Sequence, residues 1–254
     1  MNSLLDLAAR PVIAHRGASG SAPENTLEAF ELARRQGSDA FELDVRLTAD
    51  GVPVVIHDPT LERTTDRRDS VAGQTLAQLR EADAGARFSP DLGRSFPFRG
   101  SGVVVPTLAQ VLDSFPDMPL LLDIKEPRAQ GAIRGLLLEK GAAGRCVLAS
   151  DDAAAMTGVD TTQFSRAASP REIAQLYWGS LFGRAVMPRY RLLSVPVRYR
   201  GLRVPTARFV AAARARGCPV HVWTVDDPAL AQRLWQDGVA GIVTNFPEKM
   251  RARS

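Results

Sequence analysis

The residues best suited to chemistry stand at the ends of short apolar runs. PVIAHRGASGSAPEN (11–25) carries one run into His15, Arg16 and Gly17, and VPVVIHD (52–58) carries another into His57. A histidine that only packs would sit inside its run. These two stand at the exits, His15 beside a permanent cation and a glycine that lets backbone come close to a ligand. Imidazole titrates near neutral pH, so a pair of exit histidines suits general acid and base catalysis. The third and last histidine, His221, alternates with Trp223 inside VHVWTV and is read as a packed core residue.

Carboxylates supply the other half of the pattern. Glu42 and Asp44 in FELDV lie two apart on one strand and therefore share a face, as do Asp123 and Lys125 in LLLDIK. Two like charges inside one strand repel and lose hydration unless a cation joins them. With Asp123 from a neighbouring strand they make an all-oxygen cluster suited to Mg²⁺ or Ca²⁺ rather than zinc. The chain has only three lysines, Lys125, Lys140 and Lys249. The one placed in an apolar strand, Lys125, is read as a charge that helps hold an anionic substrate group.

Such residues need a frame to bring them together. Strand-like runs recur at 12–14, 41–45, 120–124, 146–150, 162–165, 192–196, 220–225 and 241–245. Between most of them lie helical patterns such as TLEAFELARRQG, AQGAIRGLLLEKG and DPALAQRLWQDG, several opened by Thr, Ser or Asp and closed by glycine. About eight alternations predict an α/β fold, a parallel (β/α)8 TIM-type barrel with its catalytic groups at the carboxyl ends of the strands. FELDV would then lie in a sheet covered on both faces, which speaks against its being an ordinary exposed strand.

One stretch breaks the alternation. In RLTADGVPVVIHD, Asp50-Gly51 predicts a two-residue hairpin turn. Paired positions would then sum to 101, so that Asp44 faces His57. From Pro59 to about Pro106 the pattern is irregular and polar. That predicts a single domain over 1–254 with 59–106 inserted as a cap over the barrel mouth.

Length and composition narrow the classes. A chain of 254 residues, 45% hydrophobic and 24% charged, has room for one barrel-sized core. No apolar stretch approaches the roughly 20 residues that span a bilayer, so no transmembrane segment is expected. MNSLLDLAARP has an early aspartate and no basic start, so it makes a poor signal peptide, and a cytoplasmic protein is expected. Cys146 and Cys218 lie in strand-like apolar contexts and are read as buried thiols. The sequence is basic, with a pI near 9.5. Yet its net charge is only +4 and its 29 arginines are scattered rather than massed, with no aromatic-interleaved basic stripe, so a nucleic-acid partner is not expected.

AHRGASGSAPENTLEAF, ELDVRLTADGVPVVIHDPTLERTTD, PTLAQVL, LLLDIK, VHVWTV and GIVTNFP together resemble the glycerophosphodiester phosphodiesterase family, in order and over nearly the whole chain. The resemblance implies a phosphatidylinositol-phospholipase-C-like barrel with a small insertion after the second histidine. It also implies metal-dependent hydrolysis of glycerophosphodiesters, small-molecule substrates, to glycerol 3-phosphate and an alcohol. Carried onto this sequence, it makes His15 and His57 the acid/base pair and Glu42 and Asp44 metal ligands. It makes Arg16 a phosphate contact and Trp223 a pocket wall. At LLLDIK the family usually has Glu-x-Lys, so Asp123 is a departure, shorter by one methylene. Glu24 and Asn25 are read as shaping the first loop, with a contact of Glu24 to the metal site left open. Two other readings stay open at this point: a lyase-like phospholipase D that stops at a cyclic phosphate, and a non-catalytic binding protein. The pattern leaves the oligomeric state undefined.

Overall fold

The computed structural model describes residues 2–182 and 188–251. Eight parallel strands form the frame: β1 (Val12–His15), β2 (Ala40–Leu47), β4 (Leu120–Ile124), β5 (Cys146–Ala149), β6 (Ser165–Arg166), β7 (Leu193–Pro196), β10 (Val220–Trp223) and β11 (Gly241–Thr244). Their order is β6-β5-β4-β2-β1-β11-β10-β7. A parallel bridge from Ala167 to Leu192 joins the two ends and closes the ring. Three strands lie off it: β3 (Pro53–Val55) pairs antiparallel with the end of β2, and β8 (Arg198–Tyr199) pairs with β9 (Leu202–Arg203).

Helices cover the outside of the ring: α1 (Leu27–Arg35), α3 (Leu108–Ser114), α4 (Gln130–Glu139), α5 (Pro170–Phe182), α6 (Ala207–Arg214), α7 (Pro228–Gln236) and α8 (Pro247–Arg251), with the single turn α2 (Leu76–Leu79) in the segment after β3. Their starts follow from side-chain capping. Thr26, Thr75, Thr107, Thr206 and Asp227 each accept a bond from an otherwise unpaired backbone N–H of the first turn. At Thr107 the bond is reciprocal, because Gln110 reaches back to the cap's own N–H.

Inward-facing apolar residues, among them Ile13, Ala40, Leu121, Val147, Leu192 and Val243, fill the barrel together with Leu4 from the first turn of the chain. His221 belongs to this layer, as expected. It is fully buried, and its Nε2 donates to the Leu4 carbonyl at 2.8 Å. Burial holds its pKa down to about 4, so the ring is neutral. Both cysteines are free and buried, and burial pushes the Cys146 thiol up to about 12. Among the described residues no helix is long and apolar enough to cross a membrane.

Two expectations are corrected. The run at 162–165 is a turn, and β6 starts only at Ser165: Asp160 accepts from the backbone and hydroxyl of Thr162, and the Asp160 carbonyl accepts from Phe164 N. Between β5 and β6 the chain makes a 3₁₀ turn at Ala153–Met156. The hairpin register is also one residue different. Val45 pairs with Val55, Arg46 with Val54 and Leu47 with Pro53, so pairs sum to 100 and Asp44 lies level with Ile56 rather than His57. The loop holds three residues, Ala49 to Gly51, because the Thr48 hydroxyl and carbonyl bind Val52 N and Gly51 N. Gly51 takes the left-handed conformation (φ +81°) that ends such a loop.

Candidate active site

Register brings the chemistry together. In the β1–β2 pairing His15 lies beside Glu42, and in the β2–β4 pairing Asp44 lies beside Asp123. His15 and Asp123 stand at or next to the carboxyl ends of β1 and β4, whereas Glu42 and Asp44 lie inside β2, which runs on to Leu47 in the hairpin. They open onto a cavity of ≈ 160 Å³ whose lining includes His15, Arg16, Glu42, Asp44, His57, Asp123, Lys125 and Trp223. Every residue singled out for chemistry from the sequence therefore reaches one space. His57 does so from just past the end of β3.

Glu42, Asp44 and Asp123 each offer a carboxylate oxygen within 4.8 Å of the others. Two cations stand among them. Lys125 Nζ lies 2.8 Å from Asp44 and 2.5 Å from Asp123, and Arg16 Nε lies 3.0 Å from Asp44. Burial would raise the pKa of Asp44, but Lys125 and Arg16 outweigh it and hold the group below the usual carboxylate range. Glu42 is pushed well above that range by burial and by the Asp44 charge. Burial also raises Asp123, against the pull of Lys125. Lys125, although burial opposes its charge, is pushed up to about 12 by Asp44 and Asp123.

Both histidines are gripped at the same ring nitrogen. Asn245, just past β11, takes a fixed orientation because its Nδ2 donates to Asp226 at 2.7 Å. Its oxygen therefore faces His15 Nδ1 at 2.8 Å, so Nδ1 carries the proton. That leaves His15 Nε2 as the acceptor, 3.9 Å from Glu42. Burial, and then the Arg16 charge, lower the His15 pKa. His57 Nδ1 likewise meets the Asp58 carboxylate at 2.6 Å. A neutral imidazole donating through Nδ1 has its lone pair on Nε2, which can accept a proton and, once charged, return it.

The first loop ties these parts together. Glu24 accepts from Arg16 at 2.9 Å and from both terminal nitrogens of Arg63 at 2.7 Å, while Arg63 Nε also bonds Asp58. Burial would raise Glu24, but Arg63 and Arg16 hold it low. Asn25 donates to Asp44 at 2.8 Å. Arg16 and Asn25 both adopt left-handed backbone (φ 57° and 58°), an uncommon conformation for arginine, and the Asn25 N–H donates to the Arg16 carbonyl at 2.9 Å. Glu24 and Asn25 do shape the loop as expected, and Asn25 in addition orders a carboxylate of the cluster.

Sequence reasoning passed over Asn245, Asp226 and Arg63. Asn245 had a usable signal, an amide at the exit of the strand next to His15, since Thr244 pairs with Ala14. Arg63 had none, because its partners Glu24 and Asp58 come from two different loops.

The chain is similar to known proteins. The model of the glycerophosphoryl diester phosphodiesterase family matches residues 15–249. The chain belongs to this family. A glycerophosphodiester phosphodiesterase of Caldanaerobacter subterraneus is 32% identical over 247 residues, covering 94% of this chain and 95% of its own. A phosphodiesterase of Oleispira antarctica, solved in complex with the product sn-glycerol-3-phosphate, is similar with a TM-score of 0.77 at 27% identity, covering 96% of each chain. The glycerophosphoryl diester phosphodiesterase domain of a Mycobacterium tuberculosis protein shares the fold, with a TM-score of 0.85 at 23% identity over 95% of this chain and 98% of its own. As a glycerophosphodiester phosphodiesterase the chain is an enzyme, a phosphoric diester hydrolase with a TIM-barrel fold.

Proposed function

We propose that the chain hydrolyses glycerophosphodiesters to sn-glycerol 3-phosphate and an alcohol, using a divalent cation and an acid/base pair of histidines. The observation that carries this reading is the matched grip on the two rings: His15 and His57 are each held through Nδ1, beside a cluster of three carboxylates. One imidazole takes the proton of the attacking oxygen. As the phosphorus–oxygen bond to the alcohol breaks, the other, entering the step as imidazolium, gives its Nε2 proton to the departing oxygen. Which ring does which is set by the side on which the alcohol leaves. The product named for the Oleispira antarctica phosphodiesterase supports glycerol 3-phosphate as the phosphate-bearing half.

The donor set fits Mg²⁺ or Ca²⁺. The three carboxylates outnumber Arg16 and Lys125 by one charge, and Asp123 Oδ1 is buried without a hydrogen-bond partner. Glu42, Asp44 and Asp123 would hold the ion, the shorter Asp123 included, since its oxygen lies within the same 4.8 Å. Bound there, a divalent cation supplies charge against the phosphoryl oxygens. Arg16 and Lys125 share that load and orient the phosphate. Trp223 walls the side where the rest of the diester lies.

Residues 59–106 act as a cap of the same domain. They carry a small core of their own, Leu61, Val71, Leu79 and Val103 among it, packed onto Val54 of β3 and Ile56 just after it. Their position next to His57 suits selection of the alcohol.

The test is a coupled assay for released glycerol 3-phosphate. Chelation should abolish turnover, and Mg²⁺ or Ca²⁺ should restore it; full activity with no bound metal would sink the cation site. His57→Ala should lower turnover by about 10²- to 10⁴-fold with metal affinity kept. Asp44→Asn should weaken metal binding itself, and equal metal affinity in the two variants would contradict the division of roles. Phosphorus NMR of the products distinguishes hydrolysis from a reaction that stops at a cyclic phosphate.

A further inference from the structure

The arginines of this chain are scattered, but its acids are not. From Ile173 to Val225 there is no aspartate or glutamate, while nine arginines fall in the same stretch. That stretch includes the hairpin RYRGLR (198–203), formed by β8 and β9. All six of its residues are exposed. Tyr199 and Leu202, paired across the two strands, are 60% and 52% exposed, so the hairpin presents an aromatic ring and a leucine to solvent.

Three arginines surround that pair. Arg203 is matched by Asp237 at 2.6 Å. Arg198 donates only to the Gly201 carbonyl at 3.2 Å, and Arg200 lies against the Tyr199 ring at 5.5 Å. Among the described residues neither has a carboxylate partner. Unpaired guanidinium groups around exposed apolar side chains are what an anionic lipid interface accommodates: the apolar tips enter the acyl boundary while the charges stay at the headgroups. A nucleic-acid strand would use the charges and leave the leucine without a role.

The hairpin also stands at the cavity. β7 leads into it, Pro196 is level with Trp223, and Val197 N donates to the Trp223 carbonyl at 3.2 Å. Tyr199 is two residues further along, roughly 7 Å of extended chain. Trp223 is 38% exposed on the mouth, and on the same side the cavity is walled by Ala168, Pro170 and Ile173.

We propose that the β8–β9 hairpin docks the enzyme on an anionic phospholipid surface, with Tyr199 and Leu202 inserted and Arg198 and Arg200 at the headgroups. The choice of lipid as partner rests on the glycerophosphodiester reading; the binding itself does not need turnover.

The test is sedimentation of the full chain with vesicles of phosphatidylglycerol or of phosphatidylcholine, in chelator so that no reaction runs. Binding should be confined to phosphatidylglycerol and should fall with added salt. Arg198→Gln/Arg200→Gln should weaken it roughly 30-fold. Tyr199→Ser/Leu202→Ser should weaken it as clearly. Arg34→Gln/Arg35→Gln, which removes the same charge from α1, should leave it unchanged. Hydrolysis of a water-soluble glycerophosphodiester should stay at the wild-type rate in both hairpin variants, which also shows that they fold. No binding by the wild type would overturn the proposal. So would equal loss in the α1 control, unaltered binding by the serine variant, or tighter binding to an oligonucleotide than to vesicles. An inactive wild type that still binds vesicles through the hairpin would count against the proposed reaction and leave the docking surface standing.

Discussion

His221 and His15 show how differently one residue type is used in one barrel. His15 stands at a strand exit on a cavity, with one nitrogen held by Asn245 and the other available. His221 lies at the opposite end of the same interior, its Nε2 donating to Leu4 and its Nδ1 buried with no partner. A charged ring there would need a second acceptor, and none is present. Gly241 belongs to this arrangement, because a Cβ at that position would overlap His221 Nδ1. Since the folded-state pKa is depressed to about 4 from an unfolded value near 6.5, the neutral ring contributes stability that is complete above pH 6.5. That contribution is lost as pH falls toward 4, because the unfolded chain binds the proton first. Its ceiling is ~3 kcal/mol. Denaturant unfolding of the wild type and of His221→Gln, repeated between pH 7 and pH 4, should show the wild type losing more stability across that window. Parallel curves would show that the histidine is not the group responsible.

At the scale of elements, the loop after β1 and the loop after β3 must hold His15, Arg16 and His57 in fixed relation although no strand pairing joins them. Arg63 provides the link, with its fork on Glu24 and its Nε on Asp58. Its side chain is 46% exposed, so the ion pairs add little to stability, and their effect is positional. Arg63→Met should therefore lower kcat roughly 10- to 100-fold, as expected when a catalytic group drifts by a fraction of an ångström, with little change in melting temperature. Arg63→Lys should not rescue it, since a single ammonium cannot span both carboxylates as the fork does. Steady-state kinetics and a thermal melt on each variant separate this from a simple loss of folding. Residue 63 lies near the start of the segment 59–106, so Arg63 ties that segment to the loop after β1.

For the whole molecule, closure of the barrel is uneven. β2 and β4 pair over five residues, whereas the seam between β6 and β7 consists of one bridge with two flanking bonds, Ala168 N to Leu192 O and Arg191 N to Arg166 O, both 2.9 Å. Local opening should follow that difference. Native-state hydrogen exchange is expected to be faster at Ala168 and Arg191 than at residues 41–45, and equal protection would mean the ring opens only as a unit. The pair β2 and β4, which carries the carboxylate cluster, is thus the most extensively paired part of the barrel among the described residues. The seam lies on the side of Ala168, where the cavity wall is apolar.

Much of this was legible along the chain because it depends on local periodicity. A period of two places Glu42 with Asp44 and Asp123 with Lys125, whatever surrounds them, and caps such as Thr26 and Thr107 mark helix starts in place. Eight alternations of strand and helix are enough to place their carboxyl ends on one rim. What sequence could not decide was set by contacts, near or far along the chain, that follow no period. The hairpin register turned on whether the loop held two residues or three, and the bonds from Thr48 to Gly51 and Val52 decided for three. The weak strand at 165–166 depends on its neighbours β5 and β7 rather than on its own residues. The partners Asn245 for His15 and Arg63 for Asp58 lie 230 and 5 positions away, and neither separation carries a period. Residue types and spacing determined which groups could do chemistry. Which nitrogen of each histidine is held was decided by the tertiary fold, because a hydrogen bond depends on where two chain segments meet in space.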